Sequence, residues 1–298
     1  MGLLVAANPA PAGLVLLSNT TDYEWWWGCS PTAAGMIMGH YDRNGYGSDP
    51  LHNQYPNLVP GGVAESSSYG VGVGPLAKAA IASAGHTNDF YKTPPGYQGS
   101  GDDNPTPWHG FNCLADFMGT SQDSVGIPGN ANGSSFFDSF ASGARYYVKD
   151  VVALGNTNKD AMFGIYEYVN YAGYGSGDPG NDTNFYTQHI KDPSHPLGCM
   201  FADYKAEIDA GRPVIIQIAE HSMFGYGYNT TGQIVYVHDT WTLGGGTMTW
   251  GGTYGPQNQP HLGMTAVLLT NGVPEPASVV LLVLVSAALA LRRWKRVF

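Results

Sequence analysis

Cys29 stands in the run Trp25-Trp26-Trp27-Gly28-Cys29-Ser30-Pro31-Thr32, at the start of a stretch patterned as a helix. There the helix dipole and the free backbone N–H groups stabilise a thiolate and lower its pKa. The backbone N–H of Cys29 also suits a developing oxyanion. Position alone leaves two readings open, a nucleophile or a small buried hydrophobe, the usual fate of a cysteine. Far along the chain, the apolar run VIIQIA leads into Glu220-His221-Ser222-Met223, and IVYVHD then delivers Asp239 and Trp241. A histidine at the end of one strand and a carboxylate on the next can meet as base and orienter. His221 would take the proton from Cys29, and Asp239 would fix its tautomer. His238 adjoins Asp239, but strand alternation turns it to the opposite sheet face. A hydrogen-bonded structural role is the expectation for His40, His86 and His195.

The elements that must position these residues follow from periodicity and breakers. Residues 30–41 read as a helix, with Pro31 in its first turn and Ala33, Ile37 and Tyr41 on one stripe. Helices are also expected over 75–84, 160–172 and 199–210, the last ended by Gly211-Arg212-Pro213. Strands are expected over 214–219, 234–238 and 264–270, with a Gly/Tyr/Asn turn after His221. Stretches 96–106, 126–134 and 173–184 read as Gly/Asn/Asp/Pro loops. The fold class is α+β, with a helical first half and a β-rich second half.

Composition narrows the chemistry. The chain has 298 residues, 43% hydrophobic, enough for one large domain with a real core. Charged residues make up 12%, about half the usual ~25%. Before residue 273 there are nine basic against 22 acidic side chains. Such an acidic body repels phosphates, which argues against nucleic acid as a partner. Three cysteines (Cys29, Cys113 and Cys199) cannot all pair within one chain, and a Cys113–Cys199 bridge with Cys29 free is one arrangement. No C-x-x-C pair or H-E-x-x-H occurs, so neither zinc nor any cofactor is expected. Gly175 to Gly180 matches G-x-G-x-x-G, but no strand precedes it, so it is read as a loop. Asp102, Asp103, Asp178 and Asp182 lie in oxygen-rich loops without a full EF-hand pattern.

The matching pieces GCSPTAAGM around Cys29, DAGRPVIIQI, EHSMFGYGYN around His221 and IVYVHDTW around Asp239 resemble a papain-like cysteine peptidase. More narrowly, they are similar to the double-glycine, bacteriocin-processing type and its broad C39-like relatives. The resemblance implies a two-lobed papain-like fold over residues 18–272, its helical lobe carrying the cysteine and its β-rich lobe the histidine and aspartate. It also implies a Cys29–His221–Asp239 triad and cleavage of peptide bonds in a peptide or protein substrate. Such enzymes place a glutamine about six residues before the nucleophile to complete the oxyanion hole. Tyr23 occupies that position here, and its hydroxyl or a tryptophan indole N–H is the candidate substitute donor beside the Cys29 N–H. The missing glutamine, and an aromatic content of 12%, also support an alternative: a non-catalytic surface or matrix protein that binds peptide or glycan.

The ends carry other signals. Residues 1–17 match a signal peptide poorly, lacking a basic n-region, and are read as a remnant or an atypical leader. Val279 to Leu291 is an uncharged apolar run followed at once by Arg292-Arg293-Trp294-Lys295-Arg296, the pattern of a short membrane stop. With Pro274-Glu275-Pro276 before it, residues 273–298 resemble a PEP-CTERM sorting signal. That resemblance implies an exosortase as partner, removal of the tail, and transient anchoring in the inner membrane through 279–291. The destination it implies is the cell envelope or extracellular polysaccharide of a Gram-negative bacterium.

Overall fold

A computed structural model describes residues 13–44, 58–60, 75–89, 111–120, 135–157, 160–174 and 178–269. It is a mixed helix and antiparallel-sheet structure, as the α+β expectation requires. The strands are β1 (Leu14–Leu16), β2 (Tyr146–Tyr147), β3 (Phe185–His189), β4 (Val214–Ile218), β5 (His221–Asn229), β6 (Ile234–His238), β7 (Gly246–Thr249), β8 (Thr253–Tyr254) and β9 (Gln259–Val267). They run in the order β2-β3-β9-β4-β5-β6-β7, with β1 paired to β5 and β8 to β9. The helices are α1 (Cys29–Asn44), α2 (Pro75–Ile81), α3 (Ala84–Asp89), α4 (Leu114–Phe117), α5 (Val148–Leu154), α6 (Ala161–Tyr171) and α7 (Phe201–Asp209).

Alternation along the strands builds a core on each sheet face. On β4, Ile215 joins the core of α1, α4 and α6, while Val214, Ile216 and Ile218 join a second core with Tyr204 and Ile208 of α7. Helix α1 is apolar or small on every side and is buried from Cys29 to Asp42. Its close approach to α2 depends on Gly35, where a Cβ would lie 2.4 Å from Ile81 Cγ1. Tyr41 of α1 donates its hydroxyl to the Val267 carbonyl at 2.6 Å, which ties the helix to β9.

Several expected elements are redrawn. His221 does not end a strand: it begins β5, one tight turn after β4, with Ile218 paired to His221 and Glu220 at φ 62°. The segment HSMFGYGYN is strand throughout, because neighbours on both edges recruit its glycines and tyrosines into ladders. A register shift between Gly225 and Gly227 leaves backbone groups that the Tyr204 hydroxyl satisfies, donating to Gly227 O at 2.8 Å. Helix 75–84 is split at residues 82–83 into α2 and α3, and the expected strand 264–270 is the end of the longer β9. No Cys113–Cys199 bridge forms: all three cysteines are free thiols, and these two lie in different cores. Leu14–Leu16, within the stretch read as a leader, pairs with Asn229 to Gly227 of β5. The loops 96–106 and 126–134 and the segment 273–298 lie outside the described residues, and no described helix is long and apolar enough to cross a membrane.

Candidate active site

Cys29 is the first residue of α1, and the turn before it is unusual. Trp27 has φ 56° and Gly28 φ 146°, a region that only glycine enters cheaply, so the chain can swing sharply into the helix. Thr32 locks this turn, donating its hydroxyl to Gly28 O at 2.6 Å and accepting from Trp26 N–H at 3.0 Å. The approach to Cys29 is also tied to the loop after β6. Trp25 N–H donates to Thr240 O at 2.6 Å, and the Asp22 carboxylate accepts Gly244 N–H at 2.6 Å.

Across the cleft, His221 heads β5 and is 7% exposed. Its Nε2 lies 2.6 Å from the backbone carbonyl of Asp239 and 3.3 Å from Thr240 Oγ1. A carbonyl only accepts, so Nε2 carries the hydrogen and Nδ1 keeps the lone pair of a base. The Trp241 indole stacks on the imidazole at 3.9 Å and 17°, covering one ring face. Burial pushes the His221 pKa down, and the Asp239 carbonyl and charge partly restore it.

The Asp239 carboxylate is not on the imidazole. It accepts from the N–H groups of Trp241 (3.0 Å) and Thr242 (2.9 Å) and from the Tyr254 hydroxyl (2.8 Å). Asp239 therefore shapes the loop with its side chain and meets His221 with its main chain. A loop residue can turn its carbonyl, rather than its carboxylate, towards a neighbour, and strand spacing carries no sign of which it does.

Cys29 and His221 line one cleft of about 200 Å³, together with Ser30, Ser222, Gln217 and His189. Ser30, which follows the cysteine, and Ser222, which follows the histidine, share a hydrogen bond at 2.9 Å, and both are buried. This bond joins the first turn of α1 to the start of β5. The Cys29 thiol is pushed up from its ordinary value by burial, against N–H and hydroxyl contacts from Ser222 and Ser30 that pull it down. Burial thus outweighs the helix-start effect expected from sequence.

Tyr23 is fully buried, with its hydroxyl beside Gly39, where a Cβ would lie 3.0 Å away, and it does not line the cleft. The sequence makes Tyr23 a candidate oxyanion donor, but its ring is drawn into the core and not to the cleft. His238 also stays out of the cleft, stacked on Tyr226 at 4.2 Å and 3.2 Å from Thr20 Oγ1. His40 meets Gly211 O, His195 meets Asp192, and His86 meets Asp116. Asp178 and Asp182 accept hydrogen bonds within their own turns. Ser30, Ser222, Gln217 and His189 were not singled out from sequence; for the two serines, adjacency to Cys29 and His221 was the available signal.

One family model, described as the Peptidase_C39 like family, matches residues 17–252. No curated protein and no solved structure matches the chain.

Proposed function

Since the chain belongs to the Peptidase_C39 like family, we propose that it is a cysteine peptidase with Cys29 as nucleophile, His221 as base and Asp239 as the residue that orients the base. The observation that carries this reading is one cleft holding both the thiol at the start of α1 and an imidazole whose Nε2 is committed to the Asp239 carbonyl. In the arrangement proposed, Nδ1 of His221 takes the thiol proton as Sγ attacks the scissile carbonyl, and the Cys29 N–H receives the oxyanion. The imidazolium returns that proton to the leaving amine, and an acyl-enzyme remains. Water, deprotonated at Nδ1, then attacks the thioester, and the thiol is restored with release of the acid. Burial pushes the Cys29 thiol up and the His221 imidazole down from their ordinary values.

The papain-like lobe arrangement belongs to the same proposal, supported by helices around Cys29 and strands around His221. So does export, which rests on the sequence of residues 273–298, with an exosortase as partner and passing attachment to the inner membrane.

The test is hydrolysis of a fluorogenic protein substrate, with iodoacetamide alkylation of Cys29 followed against pH. Cleavage that falls at least ~10³-fold in Cys29→Ala is expected. Alkylation should keep rising past the ordinary thiol value of about 8.5. Cleavage unchanged in Cys29→Ala would overturn the assignment, and a plateau below pH 7 would indicate a preformed thiolate–imidazolium pair.

A further inference from the structure

Outside the cleft, in the helical half, His86, Cys113 and Asp116 form a cluster with no exposed surface. One ligand atom from each (an imidazole nitrogen, a thiol sulfur and a carboxylate oxygen) lies within 4.8 Å of the other two. Solvent does not reach the group, so it has no part in peptide cleavage. His86 Nδ1 lies 3.0 Å from Asp116 Oδ1. Around a tetrahedral ion with bonds of about 2.0–2.1 Å, two such atoms stand roughly 3.3 Å apart, so this pair needs to open by only a few tenths of an ångström. The other carboxylate oxygen, Oδ2, accepts Asn112 N–H at 3.1 Å, the kind of outer contact that fixes a ligating group.

The His86–Asp116 pair already joins two short helices. Helix α3 has six residues and α4 four, each too short to hold its shape by its own hydrogen bonds. Cys113 is the residue before α4, and its side chain makes no capping hydrogen bond there. The thiol is buried beside the Asp116 carboxylate. A divalent ion takes a thiolate directly.

We propose that His86, Cys113 and Asp116 form a structural Zn²⁺ site that clamps α3 to α4. The mixed sulfur, nitrogen and oxygen set suits zinc better than calcium or magnesium, which take oxygen alone. The pattern is C-x-x-D with a distant histidine, and a search for C-x-x-C pairs passes over it.

The experiment uses the full chain, stripped of metal with a chelator and titrated with Co²⁺ as a coloured substitute for zinc. A thiolate-to-cobalt charge-transfer band at one equivalent, bleached by Zn²⁺, is expected. The band should persist in Cys29→Ala and vanish in Cys113→Ser, and Zn²⁺ should raise the melting temperature of the parent but not of Cys113→Ser. Asp116→Asn should keep the band while weakening affinity at least ~10-fold; if Cys113→Ser does not fold, this variant and the zinc content of the parent decide. No band in the parent, a band that survives Cys113→Ser, or one that disappears in Cys29→Ala would overturn the proposal.

Discussion

From Phe185 to Val267 the chain is held by antiparallel ladders, in which β4, β5, β6 and β9 each have strand neighbours on both edges. From Cys29 to Phe117 the described elements are one long buried helix and three short ones, packed through close contacts and buried polar pairs such as His86–Asp116. His221, the proposed base, therefore sits on a frame whose backbone bonds run between distant segments, while Cys29, the proposed nucleophile, sits on a helix held by side-chain packing. The cleft lies where the two regimes meet. Ser30–Ser222 joins the two sides at the cleft, Trp25–Thr240 and Asp22–Gly244 tie the approach to Cys29 to the loop after β6, and Tyr41–Val267 ties α1 to β9. The contrast teaches that rigidity on each side is not enough, since the placement of Cys29 against His221 depends also on the bonds between the two sides.

The largest test of this contrast is core truncation. Phe224→Ala, at the centre of β5 and fully buried, should cost about 3–5 kcal/mol and shift the whole denaturant transition. Leu114→Ala in α4 should fall at the low end of the ~2–5 kcal/mol range, because short helices can open locally. Urea melts followed by hydrogen exchange would read both. Equal, global losses would erase the distinction.

Acid comes next. Burial holds His40, His238 and His261 near pKa 4, below the unfolded value of 6.5. The unfolded chain binds more protons between these values, so their contribution is full above pH 6.5 and is lost as pH falls towards 4. Asp160, raised to about 7 by burial, works the other way: it favours the fold at low pH and loses that contribution as pH rises through 7. With three groups against one, stability should fall from pH 6.5 to 4, and an unchanged denaturant midpoint over that window would contradict it.

The cross-cleft bond should show a cycle. Ser222→Ala alone leaves the buried Ser30 hydroxyl without this partner, at about 1–3 kcal/mol, whereas Ser30→Ala with Ser222→Ala should recover part of that loss. Additive losses would mean that the bond contributes nothing of its own. The smallest expected effect is at Asp239. A carboxylate bonded directly to a catalytic imidazole is worth about 10⁴-fold. Here the side chain only shapes the loop, and Asn can still accept from Trp241 and Thr242, so Asp239→Asn should lower kcat/KM by about 10-fold. A loss near 10⁴-fold would put the carboxylate on His221 during turnover.

Much of the frame was legible in the sequence. The helix from Cys29, the helices near 160–172 and 199–210, and the strands VIIQI and IVYVH were visible because their periodicity comes from burial on one or two faces. The family was legible too, through short motifs around Cys29, His221 and Asp239. Strand β5 was not, since His-Ser-Met-Phe-Gly-Tyr-Gly-Tyr-Asn has the composition of a turn, and only its ladders with β4, β6 and β1 make it a strand.

Sequence by itself determined the residue types that can do chemistry, the order in which they occur, and the family they belong to. Tertiary structure alone decided that Asp239 meets His221 through its carbonyl, that Tyr23 belongs to the core, and that Ser30 meets Ser222. It also decided that His86 joins Cys113 and Asp116. The physical reason is the same throughout. Spacing along a chain fixes which face a side chain occupies, but contacts between distant segments depend on loop geometry and on burial, and burial is settled only when the whole core closes.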